Sequence, residues 1–319
     1  MWALAIRDKE LELVERDVPE PGPYDVLVAV HAAGINAADL MQRQGFYPAP
    51  PGWPVDVPGM ELAGVVSAVG DRVVEPVLGR RVCAVVGGGA QATHCLVPSE
   101  HLLFLPDDVA WDEAGGFPEA FTTAYDALVS QGNLQAGERA LISGAAGGVG
   151  VAAVQIAHAL GAHVTAVTRT SEFHEALRAL GATDTITLEE VDSIEPVDVV
   201  LELVGAAHLE KAQRVLKPFA RVVVIGVSAG SHLDLDLLGV MRTRATFTGS
   251  TLRSRSREEK ASVARLVGDA LIPRWTSGEL TVPLARVFDL RSGADAYDYF
   301  SQRGKFGKVV LRMDEFTSG

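Results

Sequence analysis

The sequence predicts an α/β protein that combines a doubly wound parallel sheet with a smaller β-rich module. Three observations predict this class. A glycine-rich turn over residues 143–150 lies between a short apolar strand and an apolar helix. Strands alternate with helices from there to about residue 250, as a parallel βαβ series requires. Short strands separated by many turns fill the first 118 residues, which is typical of a barrel-like module.

The N-terminal module is inferred from apolar runs with a period of two. Val26, Val28 and Val30 occupy alternate positions, and residues 82–86 form another apolar run. Pro-Gly and Gly-Asp turns punctuate these runs. Such alternation predicts half-buried strands. We therefore expect residues 1–118 to form the first part of a barrel-like domain.

A loop between these strands, residues 34–52, carries polar side chains of a candidate site. It begins as a short helix, continues as a proline-rich loop, and presents Asn36, Asp39, Arg43 and Tyr47. Loops on a rigid scaffold commonly hold functional groups. Asp39 and Arg43 are four residues apart on the predicted helix, which favours a surface ion pair.

The glycine-rich turn is the strongest functional signal in the chain. It reads SGAAGGVG from Ser143 to Gly150, and an apolar helix follows to Leu160. Glycine lets the backbone turn sharply and lets a pyrophosphate approach without a Cβ in the way, while the helix N-terminus attracts the phosphates. No Gly-Lys-Ser or Gly-Lys-Thr follows, so a nucleotide-hydrolase loop is disfavoured. We predict a dinucleotide site, whose turn residues are Ala146, Gly147, Gly148, Val149 and Gly150.

The remaining elements follow in order along the chain. A helix begins near Pro118, and the predicted strands of the sheet are Leu141–Ser143, His163–Thr168, Val197–Val204 and Arg221–Gly226. Residues 254–277 are predicted to form a long helix. Strands return over residues 282–290 and 308–311. The chain is therefore expected to return to its first domain, with segments 1–118, 119–253 and 254–319.

The end of the second strand of the sheet predicts which nicotinamide cofactor binds. Sites for NAD usually place Asp or Glu there to bind the ribose 2′-hydroxyl. This chain has Thr168, Arg169 and Thr170 instead. An arginine can make charge-assisted hydrogen bonds to a 2′-phosphate, worth about 10- to 100-fold in affinity. We therefore predict NADPH, with a solvated surface arginine as the alternative.

Composition disfavours several classes of protein. The net charge is −13 with no basic stretch to offset it, so nucleic acid and anionic membranes are poor partners. Cys83 and Cys95 lack CxxC spacing, and no histidine pair has ligand spacing, so no disulfide framework and no metal site is predicted. The N-terminus does not resemble a signal peptide, and no run approaches 18 apolar residues. We expect a cytoplasmic protein.

Several phrases taken together resemble one known family. These are ADLMQRQGFY, PGMELAGVVSAVG, GGGAQATHCLVP, PEAFTTAYDAL, SGAAGGVG and TLRSRS. The chain resembles the zinc-free quinone oxidoreductases of the medium-chain dehydrogenase/reductase superfamily, most closely the p53-inducible quinone oxidoreductase branch. The resemblance implies a GroES-like β-barrel catalytic domain built from both chain ends, a Rossmann domain between them, and bound NADPH.

Four positions depart from patterns found in relatives of this family. Where zinc-dependent alcohol dehydrogenases place a cysteine and a histidine ligand, this chain has Asn36 and Met60. Neither is a usual catalytic zinc ligand, so zinc-assisted alcohol oxidation is not expected. Quinone reductases often have a lysine where this chain has Phe173, and close relatives have a tyrosine where it has Leu188. In those relatives, the lysine and the tyrosine help to bind the 2′-phosphate.

The resemblance also implies the site residues. Tyr47 is the predicted neutral hydrogen-bond donor to the oxyanion that develops on the substrate, and Asn36 is the second catalytic residue. Their alternatives are a packing aromatic and a capping or turn residue. Arg253 and Lys308 also have structural alternatives, as a solvated helix start and a strand-edge lysine. The implied cofactor-binding residues outside the glycine turn are Asn36, Thr122, Thr168, Arg169, Val204, Gly226, Ser228, Thr251, Leu252, Arg253 and Lys308.

The predicted activity is hydride transfer from NADPH to a small quinone without zinc. Reduction of an enal or enone double bond is the alternative within enzymes. A weakly catalytic, crystallin-like NADPH-binding protein is the alternative outside them. The resemblance also implies a homodimer, for which residues 245–251 would supply a sheet edge.

Overall fold

The computed structural model describes residues 1–313, which form two compact units. The terminal unit contains residues 1–122 and the chain from Leu252 onward, and the central unit contains Thr123–Thr251. The boundaries predicted from sequence lie at residues 118 and 253. Residues 314–319, which end the predicted segment 254–319, lie outside the described residues.

Fifteen β-strands occur within residues 1–313 and are numbered along the chain. They are β1 (Trp2–Arg7), β2 (Glu10–Glu15), β3 (Asp25–Ile35), β4 (Glu61–Val69), β5 (Arg81–Val85), β6 (His94–Pro98), β7 (Leu103–Phe104), β8 (Arg139–Ile142), β9 (His163–Thr168), β10 (Asp184–Thr187), β11 (Val197–Glu202), β12 (Leu216–Val224), β13 (Thr246–Gly249), β14 (Leu284–Asp289) and β15 (Lys308–Arg312).

The same residues contain nine α-helices. They are α1 (Ala37–Arg43), α2 (Trp111–Gly116), α3 (Pro118–Tyr125), α4 (Gly148–Ala159), α5 (His174–Ala179), α6 (Ala206–Ala212), α7 (Leu237–Thr243), α8 (Arg257–Thr276) and α9 (Gly293–Ser301). Helix α3 continues as π-helix over Asp126–Gln131. Short 3₁₀ helices occupy Ser99–His101, Ser171–Phe173, Leu188–Ser193, Gln213–Val215 and Leu290–Ser292.

The central unit is built on one six-stranded sheet in the order β10-β9-β8-β11-β12-β13. Every neighbouring pair in it is parallel. The chain order of the strands changes direction between β8 and β11. In such sheets, ligands bind at this point, outside the carboxyl ends of the strands. The predicted doubly wound sheet is confirmed, and the predicted strand His163–Thr168 coincides with β9.

The terminal unit contains a seven-stranded sheet and a two-stranded hairpin. The sheet has the order β14-β15-β3-β4-β5-β7, and β6 pairs with the other part of β3. The hairpin is formed by β1 and β2. Strand β15 pairs antiparallel with β3, with Val309 opposite Ile35, so a C-terminal strand lies inside the sheet that the N-terminal strands begin.

Two element boundaries differ from those predicted by three residues or more. Helix α8 begins at Arg257 and not at residue 254, because Ser256 caps it: the Ser256 hydroxyl accepts the Glu259 N–H at 3.2 Å, and the Glu259 carboxylate accepts the Ser256 N–H at 2.9 Å. Strand β12 begins at Leu216, five residues before the predicted Arg221, and its register with β11 shifts in between. Pro218 in this stretch has no N–H to donate to the ladder.

Each unit has its own apolar core. In the terminal unit, buried residues of β3, β4 and β5 pack with β15 and with Tyr297 of α9, whose hydroxyl donates to Gln91 at 2.8 Å. In the central unit, Leu141, Val200 and Val222 come from three adjacent strands of the sheet and belong to the buried core. Each core holds the strand ends of its own unit, β3 in the terminal unit and β8 and β11 in the central unit, and these ends carry candidate site residues.

Candidate functional site

The glycine-rich turn of the central unit connects β8 to α4. Gly144 has φ +59°, in the left-handed region that favours glycine. A Cβ on Gly150 would lie 2.4 Å from the Gly144 carbonyl oxygen, so no side chain fits there. Gly147, by contrast, is exposed and is the N-cap of α4. The first N–H groups of α4 have no partner within the helix and remain able to donate to an anion. This cradle fits the pyrophosphate of a dinucleotide.

A buried polar cluster supports this turn, and the local sequence pattern does not predict it. The Glu202 carboxylate, at the end of β11, is fully buried and accepts hydrogen bonds from the Ser143 hydroxyl and from the N–H groups of Val204 and Gly205, each at 2.7 Å. Its other oxygen lies 2.5 Å from Nδ1 of His208. The cluster therefore ties the ends of β8 and β11 to the first turn of α6.

The acid at the end of β11 was the only available sequence signal for this cluster. Glu202 follows four apolar residues and the half-buried Asp198 in β11, and a buried carboxylate needs several donors. Nε2 of His208 is buried and has no hydrogen-bond partner within residues 1–313. Since His208 lies six residues after Glu202, their contact depends on the turn between β11 and α6 and not on a helical spacing.

The end of β9 carries the predicted 2′-phosphate residues. The Thr168 hydroxyl is buried and donates to the Thr170 carbonyl oxygen at 2.8 Å, and it lies 2.9 Å from Nε2 of His174. Arg169 is exposed, and no ion-pair partner for it occurs in the part of the chain that the structure describes. Arg169 is therefore the residue at this strand end whose charge can meet a phosphate. The Thr168 hydroxyl already donates to the main chain of the following loop.

The terminal unit contains the predicted catalytic Asn36 in a second buried cluster. Asn36 is the N-cap residue of α1, and its carboxamide donates to Glu61 at 2.9 Å and accepts from the Lys308 ammonium at 2.6 Å. The same ammonium lies 2.6 Å from the Glu61 carboxylate. Glu61 and Lys308 are almost fully buried, whereas Asn36 is half-buried.

Main-chain atoms complete this cluster. The Glu119 N–H donates to the second Glu61 oxygen at 2.8 Å, and Lys308 also donates to the Ile35 carbonyl oxygen at 3.3 Å. A Cβ on Gly34 would lie 2.1 Å from Glu61 Oε1, so glycine is required for this approach. Lys308 is thus a buried ion-pair partner and not a strand-edge lysine. Its predicted contact with the cofactor remains a prediction.

The expected surface pair of Asp39 with Arg43 is wrong. Asp39 is fully buried, and its carboxylate accepts the N–H groups of Asn36 at 2.8 Å and Gly59 at 3.1 Å. Arg43 instead donates to Glu10 at 2.8 Å. Burial raises the pKa of Asp39 to about 6, although both hydrogen bonds oppose the shift. Helical spacing could not distinguish the buried side of this short helix from its exposed side.

Tyr47 lies beside Arg253 in the terminal unit. Arg253 is 5% exposed, and its guanidinium carbon lies 5.0 Å from the centroid of the Tyr47 ring. It donates to the carbonyl oxygens of Tyr47 at 3.0 Å and Gly87 at 2.8 Å, and to the Gln42 side chain at 2.5 Å. The alternative considered for Arg253, a solvated residue at a helix start, is therefore wrong. Burial raises the pKa of Tyr47, so the phenol stays protonated and can donate a hydrogen bond at neutral pH.

The other predicted cofactor residues differ in exposure. The Thr122 hydroxyl is buried without a hydrogen-bond partner among the described residues, and Leu252 is buried. Val204 and Gly226 are half-buried, and a Cβ on Gly226 would lie 2.2 Å from the Leu203 carbonyl oxygen. Ser228 and Thr251 are exposed. Their contacts with a cofactor remain predictions.

Metal-ligating side chains do not converge within residues 1–313: no group of three His, Cys, Asp or Glu residues there could hold an ion. Met60 is buried, and Cys83 and Cys95 are free and buried. Burial raises the pKa of Cys95 to about 12.

Within residues 1–313, no helix is both long and apolar enough to cross a membrane.

Two family models and several relatives match this chain. Residues 22–130 match the alcohol dehydrogenase GroES-like domain, and residues 148–268 match the zinc-binding dehydrogenase family. The human synaptic vesicle membrane protein VAT-1 homolog is 31% identical over 92% of this chain and 80% of that protein. The quinone oxidoreductase of Sus scrofa is 30% identical over 95% of this chain and 94% of that protein. The chain belongs to the medium-chain dehydrogenase/reductase superfamily.

A solved structure of a member of this superfamily has the same fold. The quinone oxidoreductase from Thermus thermophilus, whose crystal structures include its complex with NADPH, superposes with a TM-score of 0.85 at 33% identity, covering 98% of this chain and 100% of that one. The GroES-like and Rossmann-like parts of the predicted fold are thereby confirmed. The chain is a member of an oxidoreductase superfamily with a fold that binds nicotinamide dinucleotides.

Proposed function

We propose that this protein is an NADPH-dependent quinone reductase that transfers hydride without zinc, related to the p53-inducible branch of quinone oxidoreductases. The observation that carries the proposal is the buried cluster of Asn36, Glu61 and Lys308. The Lys308 ammonium lies 2.6 Å from both the Glu61 carboxylate and the Asn36 amide oxygen. These two oxygens therefore already bind a cation that the chain itself supplies. The similarity to quinone oxidoreductases supports the substrate class.

The residues have distinct roles in this proposal. NADPH, when bound, supplies the hydride. The glycine-rich turn binds the pyrophosphate through the N–H groups of α4, and Arg169 binds the 2′-phosphate. Tyr47 donates a hydrogen bond to the oxygen of the substrate that becomes negative, and its raised pKa keeps that proton in place. Asn36, held at both ends of its carboxamide, orients the acceptor.

The test is quinone-dependent oxidation of NADPH and of NADH by the purified protein with a metal chelator present throughout. We expect chelator-resistant turnover that favours NADPH by about tenfold or more. Replacing Tyr47 with Phe should lower kcat by about 10²-fold, as for the loss of one oxyanion donor. Turnover of enones but not quinones would overturn the quinone assignment in favour of a double-bond reductase. Tight NADPH binding without turnover of either acceptor would favour the non-catalytic protein.

We further propose that the protein forms a homodimer through the β13 edge of the central sheet. Strand β13 ends the strand order and pairs with β12 alone among the strands of residues 1–313. Exposed apolar side chains occur between residues 219 and 241 of the same unit: Phe219, Val227, Leu237, Leu238 and Met241. An open sheet edge is a template for pairing with a second copy. Light scattering should give twice the monomer mass of 33.8 kDa, and a species of 33.8 kDa alone would contradict the dimer.

A reducing compartment is the proposed location. Cys83 and Cys95 are both free and buried, as is usual where disulfides do not form. We propose the cytoplasm, which fractionation of cells expressing a tagged copy would test.

A further inference from the structure

A cavity of about 640 Å³ lies within the terminal unit, and of its lining only Arg253 is also a predicted cofactor residue. It is lined by the loop that includes Pro50 and Trp53, by β6 residues such as Leu96, and by the segment from Arg253 to Lys260. Pockets for small molecules commonly have this size. All lining residues belong to one unit, so the cavity is a feature of that unit by itself.

The apolar wall of the cavity consists mainly of prolines and Trp53, which packs against the main chain. Pro50, Pro51 and Pro54 flank Trp53 on one loop, and Leu96 belongs to β6. A Cβ on Gly87 would lie 2.6 Å from the Trp53 indole, so the ring packs directly against the main chain there. Prolines and an indole supported in this way offer an apolar surface that loses little conformational entropy on binding.

The charged part of the lining is strongly unbalanced. Five lining residues are Lys or Arg, and one, Asp25, is acidic. Two of the cations are compensated by carboxylates: Arg16 by Asp56, and Arg257 by Glu100 and by Asp25 itself. This balance differs from that of the whole chain, whose net charge is −13. A cationic cavity in an acidic protein selects for anions.

Two other cations of this lining, Arg253 and Lys260, donate to neutral oxygens. Arg253 donates to two carbonyl oxygens and to the Gln42 amide oxygen. Lys260 Nζ donates to the Arg253 carbonyl oxygen at 2.8 Å. Burial lowers the pKa of both groups, and the positive charge of Arg253 lowers that of Lys260 further. The negative charges of Asp39 and Glu119 oppose these pKa shifts. Partly desolvated cations of this kind gain most from a hydrogen-bonded anion.

We propose that this cavity binds a small amphipathic carboxylate, with its apolar body on Trp53 and the neighbouring prolines and its carboxylate accepting a hydrogen bond from the Lys260 ammonium in the field of Arg253. The Lys260 ammonium next to a largely apolar wall suits a monoanion. A phosphate would require more donors than Lys260 supplies. The site goes beyond the proposed reductase activity and does not depend on NADPH.

The test is isothermal titration of the full-length protein, without NADPH, using 2-naphthoate as the probe and neutral 2-naphthol as its matched control. We expect 2-naphthoate to bind more tightly than 2-naphthol. Lys260→Met should weaken 2-naphthoate binding by about tenfold, whereas Lys260→Arg should retain it, since one charge-assisted hydrogen bond is at stake. Lys305→Met, in the same unit but outside the lining, should bind as the wild type does.

Three results would overturn the proposal. They are the absence of saturable 2-naphthoate binding at millimolar concentration, equal affinity for 2-naphthoate and 2-naphthol, and Lys260→Met binding 2-naphthoate as tightly as the wild type. If Lys260→Met does not fold, the wild type still decides the question. Raising the salt concentration about tenfold should weaken 2-naphthoate binding and leave 2-naphthol binding unchanged, because only the anion depends on screened charge. Equal salt dependence of the two probes would also contradict the proposal.

Discussion

The terminal and central units each bury a glutamate at a candidate site, but they neutralise its charge in different ways. In the terminal unit, Glu61 lies 2.6 Å from the Lys308 ammonium, which is 247 residues away in the sequence. In the central unit, Glu202 is held by two main-chain N–H groups, the Ser143 hydroxyl and His208. Both glutamates are completely buried. Glu61 is paired with a lysine distant in the sequence, whereas most partners of Glu202 lie within six residues of it.

The difference indicates what each cluster can do. Two N–H donors of Glu202 come from its own turn, so the cluster fixes the local backbone beside the glycine-rich turn. The Glu61 cluster includes the half-buried Asn36, so it fixes a side chain that can meet a ligand. Asp39 is a third case. It accepts from two main-chain donors, and its raised pKa allows it to be neutralised by a proton.

Removing the cation of the terminal cluster should have the largest effect. Lys308→Met leaves Glu61 buried without its ion-pair partner and should lower the free energy of unfolding by about 3–5 kcal/mol. Urea denaturation measures this change. The double variant Glu61→Gln/Lys308→Met should recover part of the loss, because it no longer buries a charge. Lys305→Met is the matched control. If Lys308→Met is as stable as that control, the charge pair does not stabilise the unit.

The proton of Asp39 should produce the next largest effect, as a dependence of stability on pH. The folded-state pKa of about 6 lies above the ordinary 3.8, so the folded protein binds this proton more tightly than the unfolded chain. The contribution of Asp39 to stability is therefore greatest below about pH 4 and falls as pH rises to about 6, by about 3 kcal/mol in total. Urea denaturation of the wild type and of Asp39→Asn between pH 4 and 7 isolates this contribution. Parallel curves for the two proteins would contradict it.

Weakening the Glu202 cluster should lower the free energy of unfolding by less than breaking the Glu61–Lys308 ion pair does. Glu202→Gln replaces one accepting oxygen with an NH₂ group and leaves buried donors unsatisfied, at about 1–3 kcal/mol of unfolding free energy. NADPH affinity should fall as well, since the glycine-rich turn loses its support. Urea denaturation and NADPH titration measure the two effects. Glu210→Gln, at an exposed position of α6, is the control. Similar behaviour of both variants would mean that the cluster does not hold the turn.

Removing the exposed charge of Arg169 should change cofactor binding and leave the free energy of unfolding nearly unchanged. Arg169→Gln should lower the preference for NADPH over NADH by about tenfold while changing the free energy of unfolding by less than about 0.5 kcal/mol. Steady-state KM values for the two cofactors report the preference. Arg178→Gln, at an exposed position of α5, should leave it unchanged. An unaltered preference in Arg169→Gln would remove Arg169 from its proposed role.

The features that could be predicted from sequence depend on neighbouring residues. The glycine-rich turn and strand β9 are encoded by local spacing and by the steric freedom of glycine, and the predictions hold there. The family resemblance added Asn36 and Tyr47 as candidates, which the periodicity of the loop alone could not distinguish from structural residues, and their catalytic roles remain predictions. Alternation of strands and helices also predicted the doubly wound sheet.

The features that were missed depend on residues far apart in the chain. Burial of Asp39 depends on Gly59, and the position of Lys308 depends on β15 pairing with β3. The guanidinium of Arg253 is buried against Tyr47, 206 residues earlier. Spacing within one helix or strand contains no information on such contacts. The sequence therefore predicted the elements, whereas the balance of charge within the site required the tertiary structure.

The position of β15 inside the N-terminal sheet also determines the order in which the chain can fold. The central unit is one continuous segment, Thr123–Thr251, and all its sheet partners have emerged from the ribosome before the last strands of the terminal unit are made. Lys308 follows Asn36 by 272 residues, a delay of roughly 15–55 s at about 5–20 residues per second. Throughout that interval Glu61 has no ammonium partner, and β3 exposes the edge that β15 later covers. The terminal unit is thus the last part of the molecule that can complete its sheet.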